Sequence, residues 1–127
     1  MSKIIKEYAI SASPEEVWKA LTDPKVIEEW SGSPAVMTEK KGTAFSLWDG
    51  YCVGKNIEVE RYRRLVQDWQ EPEWPEPSHV VFELQPQDGG TLIHFEQAGV
   101  PADRIKDIDE GWDTEYLGKM KEFLESK

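Results

Sequence analysis

Apolar and polar positions alternate over residues 3–11, with Ile4, Tyr8 and Ile10 on one face and Ile5, Glu7 and Ala9 on the other. That period of two predicts a strand. The pattern then changes at Ser13-Pro14-Glu15-Glu16. Ser13 is placed to cap free amides, Pro14 suits the first helical position, and Glu16 completes a capping box. Val17, Trp18 and Leu21 supply the apolar stripe of this helix. A second short helix starts at Asp23-Pro24 by the same logic and carries Val26, Ile27 and Trp30. It stops at Ser31-Gly32-Ser33-Pro34.

From residue 35 to 97 turns recur at short intervals, at Lys41-Gly42, Asp49-Gly50 and Asp88-Gly89-Gly90. Strands are predicted between them at 35–40, 43–48, 52–60, 62–70, 78–86 and 91–98. Phe45/Leu47, Ile57/Val59, Leu65/Trp69, Val80/Phe82/Leu84 and Ile93/Phe95 recur at period two. An antiparallel meander with one buried face explains that recurrence. Residues 71–77 hold Pro72, Pro75 and Pro77, which exclude regular pairing, so this segment is a rigid acidic loop around Trp74.

After Gly99-Val100-Pro101 a long helix is predicted to the C-terminus. At about 100° per residue, Ile105, Ile108, Trp112, Tyr116, Met120 and Phe123 form one stripe. Gly111 and Gly118 lie opposite, each costing roughly 1 kcal/mol relative to Ala. A curved antiparallel sheet must cover its apolar face, and only this helix is long enough to lie across it. The expected architecture is therefore a single α+β domain over 1–127: a helix-grip fold, with a curved antiparallel sheet wrapped around a long C-terminal helix.

Charge narrows the partners. The 127 residues include 15 Lys or Arg against 25 Asp or Glu, a net charge of −10. Phosphate backbones and anionic lipid surfaces would repel such a domain, so neither nucleic acid nor membrane is an expected partner. Lys40, Lys41, Arg61, Arg63 and Arg64 fall at turns or outward strand positions and read as a solvated face. Cys52 is the lone cysteine, which excludes an intrachain disulfide and a cysteine-based zinc site. With no apolar run of signal-peptide or membrane-span length, a cytoplasmic location is expected.

Residues 10–30, a strand followed by Ser-Pro-Glu-Glu-Val-Trp-Lys-Ala-Leu-Thr-Asp-Pro and then Trp30, resemble the opening of START-type, birch-pollen-allergen-like domains of the SRPBCC superfamily. Phe45-Ser-Leu-Trp-Asp-Gly50, Val53-Gly54, Val66-Gln-Asp-Trp69, Trp74-Pro75, Gly99-Val-Pro101, Gly111-Trp112 and Tyr116 are similar to the C-terminal domain of the heat-shock protein 90 ATPase activator family. The likeness runs through nearly the whole chain in order. Gln70 departs from it, standing where that family often has arginine. Full-length activators are similar to this chain only in their second half. The resemblance implies the same helix-grip fold, a chaperone-associated interaction role of the heat-shock protein 90 activator type, and a place in the stress response. The wider superfamily also includes cyclases and hydratase-like enzymes.

Six tryptophans are more than a core of this size requires. Trp18, Trp30, Phe45, Leu47, Trp69, Phe82, Phe95, Trp112, Tyr116 and Met120 all fall on inward faces. They are either plain core or the lining of a cavity between sheet and helix that receives a small hydrophobic molecule. In the second case the indole N–H groups and the Tyr116 hydroxyl orient the ligand. Lys119 lies inside the apolar stripe, either packing its stem and reaching Glu115, or offering a cation at the cavity mouth. Trp74 either folds back over the sheet edge or serves as a partner contact.

Catalytic chemistry is thin. His79 and His94 alternate with inward residues and face outward, and no phosphate loop or nucleophile elbow occurs. Asp103, Asp107, Asp109, Glu110 and Asp113 lack calcium-loop spacing and read as a solvated helix face. No catalytic residue, metal or cofactor is expected, and the chain reads as a binding protein rather than an enzyme.

Overall fold

The computed structural model describes residues 3–126. The chain runs β1 (Lys3–Ile10), α1 (Pro14–Thr22), α2 (Pro24–Ser31), β2 (Ala44–Leu47), β3 (Cys52–Glu60), β4 (Arg64–Gln70), β5 (Ser78–Gln87) and β6 (Gly90–Ala98). A short 3₁₀ turn, Ala102–Arg104, leads into α3 (Ile105–Gly111), a π-helical turn (Trp112–Tyr116) and α4 (Leu117–Glu125). The six strands form one antiparallel sheet in the order β1-β6-β5-β4-β3-β2, so the first strand pairs with the last. This is the expected α+β helix-grip arrangement, a curved sheet closed by the C-terminal helix.

Local signals explain the helices. The Ser13 hydroxyl accepts from the Glu16 amide, and the Glu16 carboxylate accepts from the Ser13 amide, a reciprocal capping box. Asp23 ends α1, and its side chain then caps α2 through the Lys25 amide. Gly32, at a φ of 76°, closes α2 in the left-handed conformation.

Three expectations change. Residues 35–40 form no strand among the described residues, contributing one bridge between Val36 and Ser46. Second, β3 carries a bulge between Asn56 and Glu58. Cys52 and Asn56 point inward before it and Val59 packs on the core after it, so Ile57 leaves the inward series. Asn56 is fully buried because its amide donates to the Thr38 carbonyl and its Oδ1 accepts from Gln67.

Third, the C-terminal helix is not one continuous α-helix. The Leu117 amide bonds to the Trp112 carbonyl five residues back, and Tyr116 sits at φ −121°, ψ −86°. One extra residue in a turn rotates everything beyond it by about 100°. Downstream of Tyr116 the buried positions are therefore Leu117, Met120 and Leu124, with Phe123 half-buried.

Beside this helix, Lys6 on β1 bridges Asp109 at 2.6 Å and Asp113 at 3.0 Å, and the Tyr8 hydroxyl donates to Asp113. These contacts tie the first strand to the last helix. No described helix is long and apolar enough to cross a membrane.

Candidate functional site

Trp112 and Tyr116, on the π turn, reach across to the sheet. The Trp112 ring lies 4.2 Å from Phe95 on β6 and 4.9 Å from Trp69 on β4. Tyr116 stacks on Phe82 of β5 at 5.8 Å and meets Trp30 of α2 at 4.8 Å. Phe45 and Trp69 are 5.6 Å apart. That approach requires glycine opposite: a Cβ at Gly54 would stand 2.0 Å from the Asp68 carbonyl oxygen and 2.7 Å from the Phe45 ring.

Hydrogen bonds hold the rings in place. The Trp112 indole donates to Gln97 Oε1 at 2.7 Å, Gln97 Nε2 donates to Ser78 Oγ, and Ser78 Oγ donates to the Trp69 carbonyl. The Trp30 indole donates to the Ala20 carbonyl and the Trp18 indole to Glu39. These indole donors are thus consumed within the protein.

This packing favours the plain-core alternative for most of the inward set. Trp18, Trp30, Phe45, Leu47, Phe82, Phe95 and Met120 belong to a close-packed core. Their rings and chains fill the space between sheet and helix. The structure brings Trp69, Trp112 and Tyr116 to a pocket of about 300 Å³ at one end of that space. Its other walls are Trp48, Tyr51, Cys52, Glu71, Arg104, Asp107, Ile108, Gly111 and Glu115.

Trp48 reaches the pocket through unusual backbone. Trp48, Asp49 and Gly50 have φ of 51°, 56° and 90°, three successive left-handed residues. For a bulky residue this costs on the order of 1–3 kcal/mol. Contacts with Tyr116 at 6.1 Å and Trp69 at 6.5 Å offset the strain. The turn thereby lays an indole over the pocket wall.

Charge and polarity are uneven. Arg104 pairs with Asp107 at 2.8 Å. Glu115 pairs with Lys119 at 3.1 Å, so Lys119 follows the packing alternative and is not part of the pocket wall. Glu71 accepts from the Cys52 thiol at 3.7 Å and has no cationic partner among the described residues. Its charge raises the Tyr51 pKa above the usual phenol value. Burial, and then Glu71, pushes the Cys52 thiol up, so it is neutral. The Tyr116 hydroxyl is fully buried and has no hydrogen-bond partner among the described residues, and burial holds it protonated.

Trp74 is 7% exposed and packed on the core, with its carbonyl accepting from Gln70 Nε2. The folded-back alternative holds, and a buried ring is not a partner contact. Gln70 therefore anchors the proline-rich loop at the position where the resemblance anticipated arginine. His79 is exposed, while His94 lies between Glu7 and Glu96 on the outer face. Among the described residues no group of three or more His, Cys, Asp or Glu could hold a metal ion.

Nine wall residues were not among the candidate site residues: Trp48, Tyr51, Cys52, Glu71, Arg104, Asp107, Ile108, Gly111 and Glu115. The Trp48-Asp49-Gly50 turn was visible, but its left-handed start was not, because nothing in the sequence marks a tryptophan for positive φ.

Residues 11–125 match the family model described as Activator of Hsp90 ATPase homolog 1-like protein. The human Activator of 90 kDa heat shock protein ATPase homolog 1 is 25% identical over 122 residues, which are 94% of this chain and 36% of that protein. The mouse homolog 2 is 26% identical over 113 residues, 87% of this chain and 34% of its own length. The chain thus spans about a third of the curated relatives it matches. Among solved structures, an HSP90 activator from Plasmodium falciparum superposes with a TM-score of 0.91 at 23% identity, covering 98% of this chain and 97% of that one. At that identity the likeness speaks for the fold, and the match over 11–125 places the chain in the Activator of Hsp90 ATPase homolog 1-like family.

Proposed function

We propose that this domain is a protein-interaction module that engages an Hsp90-type chaperone and modulates its ATPase, acting by binding rather than by catalysis. The observation that carries the reading is the family match over residues 11–125 to proteins named as activators of that ATPase. Its interior supports a role played at the surface, because side chains fill the space where a large ligand would sit. A non-catalytic role is supported by the chemistry of the pocket, which holds no histidine and a neutral, buried thiol. The test is an ATPase assay of the same organism's Hsp90-type chaperone with and without saturating domain, paired with a pull-down. Stimulation or retention supports the reading, and neither effect at saturating excess sinks it.

A second reading, a small-molecule site, is favoured by one observation. The buried Tyr116 hydroxyl has no hydrogen-bond partner among the described residues, and its residue lines a pocket of about 300 Å³, at the lower end of ligand-site volumes. Tryptophan fluorescence titrated with small apolar compounds tests it. A flat response across neutral, anionic and cationic probes would remove it.

A further inference from the structure

The pocket is lined by aromatic residues and contains one carboxylate without a counter-charge among the described residues. Trp48, Tyr51, Trp69, Trp112 and Tyr116 are five of its lining residues. Of its four charged wall residues, Arg104 and Asp107 neutralise each other, and Glu115 is neutralised by Lys119. Glu71 remains, half-buried, with the neutral donors of Cys52 and Tyr51 as its side-chain partners among the described residues. An adjoining depression shares Tyr51, Glu71 and Arg104 and adds the exposed acids Glu73 and Asp103. Ring faces and an unpaired carboxylate attract the same kind of group, a desolvated organic cation.

Resting on the small-molecule reading, we propose that this pocket binds an organic ammonium ion whose apolar body packs among Trp48, Trp69 and Trp112 and whose cationic nitrogen pairs with Glu71. Rings attract a cation through their quadrupole and the carboxylate attracts it through its charge. An anion of the same shape gains neither. The volume of about 300 Å³ suits a body of one or two rings.

Three probes sharing one phenyl ring separate the possibilities: phenethylammonium, phenylacetate and benzyl alcohol. Each is titrated into the whole chain and followed by the indole N–H signals in two-dimensional NMR. Phenethylammonium is expected to shift the Trp48 and Trp69 signals with a dissociation constant of roughly 0.1–1 mM, with phenylacetate at least about tenfold weaker. Glu71→Gln should weaken phenethylammonium about tenfold and leave benzyl alcohol unchanged. Glu110→Gln, on the exposed helix face outside the pocket, should leave both unchanged. In the unaltered protein, added salt should weaken phenethylammonium selectively, a readout that needs no variant to fold. Equal binding of all three probes overturns the proposed ligand class while leaving a small-molecule site standing. Binding by none of them overturns both.

Discussion

Gly118 and Asp113 lock the π turn. A Cβ on Gly118 would stand 1.8 Å from the Asp113 carbonyl oxygen, closer than any side chain tolerates. The extra residue at Trp112–Tyr116 turns that carbonyl toward the next turn of helix, and only a missing side chain gives it room. The same turn carries Trp112 and Tyr116, so a glycine that looks like a weakness of the helix positions two pocket walls.

Gly118→Ala is therefore expected to destabilise the protein by roughly 2–4 kcal/mol, at the upper end of single substitutions. Gly111 has an ordinary helical φ of −61°, and a Cβ there would meet nothing within 4 Å beyond its own stretch of helix. Gly111→Ala should therefore stabilise by about 0.5–1 kcal/mol. Urea unfolding of both variants checks the pair. Equal effects would mean that the π turn does not depend on Gly118.

Tyr116→Phe should raise stability, by about 1 kcal/mol, against the usual direction for a buried tyrosine. Its hydroxyl is desolvated without a hydrogen bond among the described residues, and removing such a group relieves the cost of burying it. Thermal and urea unfolding give the sign. A loss of stability would show that the hydroxyl has a partner in solution.

Gln97→Met is predicted to cost roughly 1–3 kcal/mol despite its similar volume. It would strand the Trp112 indole N–H, which donates to Gln97 Oε1 at 2.7 Å in a buried setting. Near-ultraviolet circular dichroism should change with it, because the indole loses the contact that sets its orientation. An unchanged spectrum and midpoint would remove the role assigned to this hydrogen bond.

The outer face carries a pH-dependent contribution. Hydrogen bonds from His94 to Glu96 at 2.8 Å and to Glu7 at 3.3 Å raise the histidine pKa in the folded protein. A raised folded value means the stabilisation is fully present below the unfolded histidine pKa of about 6.5 and fades as pH rises through the folded value. The stability of the unaltered protein relative to His94→Gln should then fall as pH is raised from below the unfolded value to above the folded one. Urea midpoints at both ends measure the difference, and a gap that stays constant or widens with pH contradicts the assignment.

Elements set by local chemistry were legible. Ser13-Pro14-Glu15-Glu16 specified its capping box, since all the groups involved lie within one turn. The period-two runs at Val80/Phe82/Leu84 and Ile93/Phe95 specified inward faces, because a strand has no other way to bury them. Pairing of β1 with β6 was not legible, because it joins segments far apart in the chain.

Position within the aromatic set was another matter. Periodicity assigned Trp18, Phe82 and Trp112 the same inward direction and all three are core, yet Trp112 alone of them also walls a pocket. Whether neighbouring rings close up depends on distances between elements far apart in sequence. The bulge at Asn56, the left-handed Trp48 and the π turn before Gly118 each depend on such long-range fits. The chain by itself determined the α+β order of elements, the faces they bury and the family they belong to, since those follow from spacing and local hydrogen bonding. Only the tertiary structure decided that the interior is filled, that Trp74 is buried, and that Glu71 stands unpaired beside the rings. Close packing and charge pairing are settled by three-dimensional neighbours, which a linear pattern does not specify.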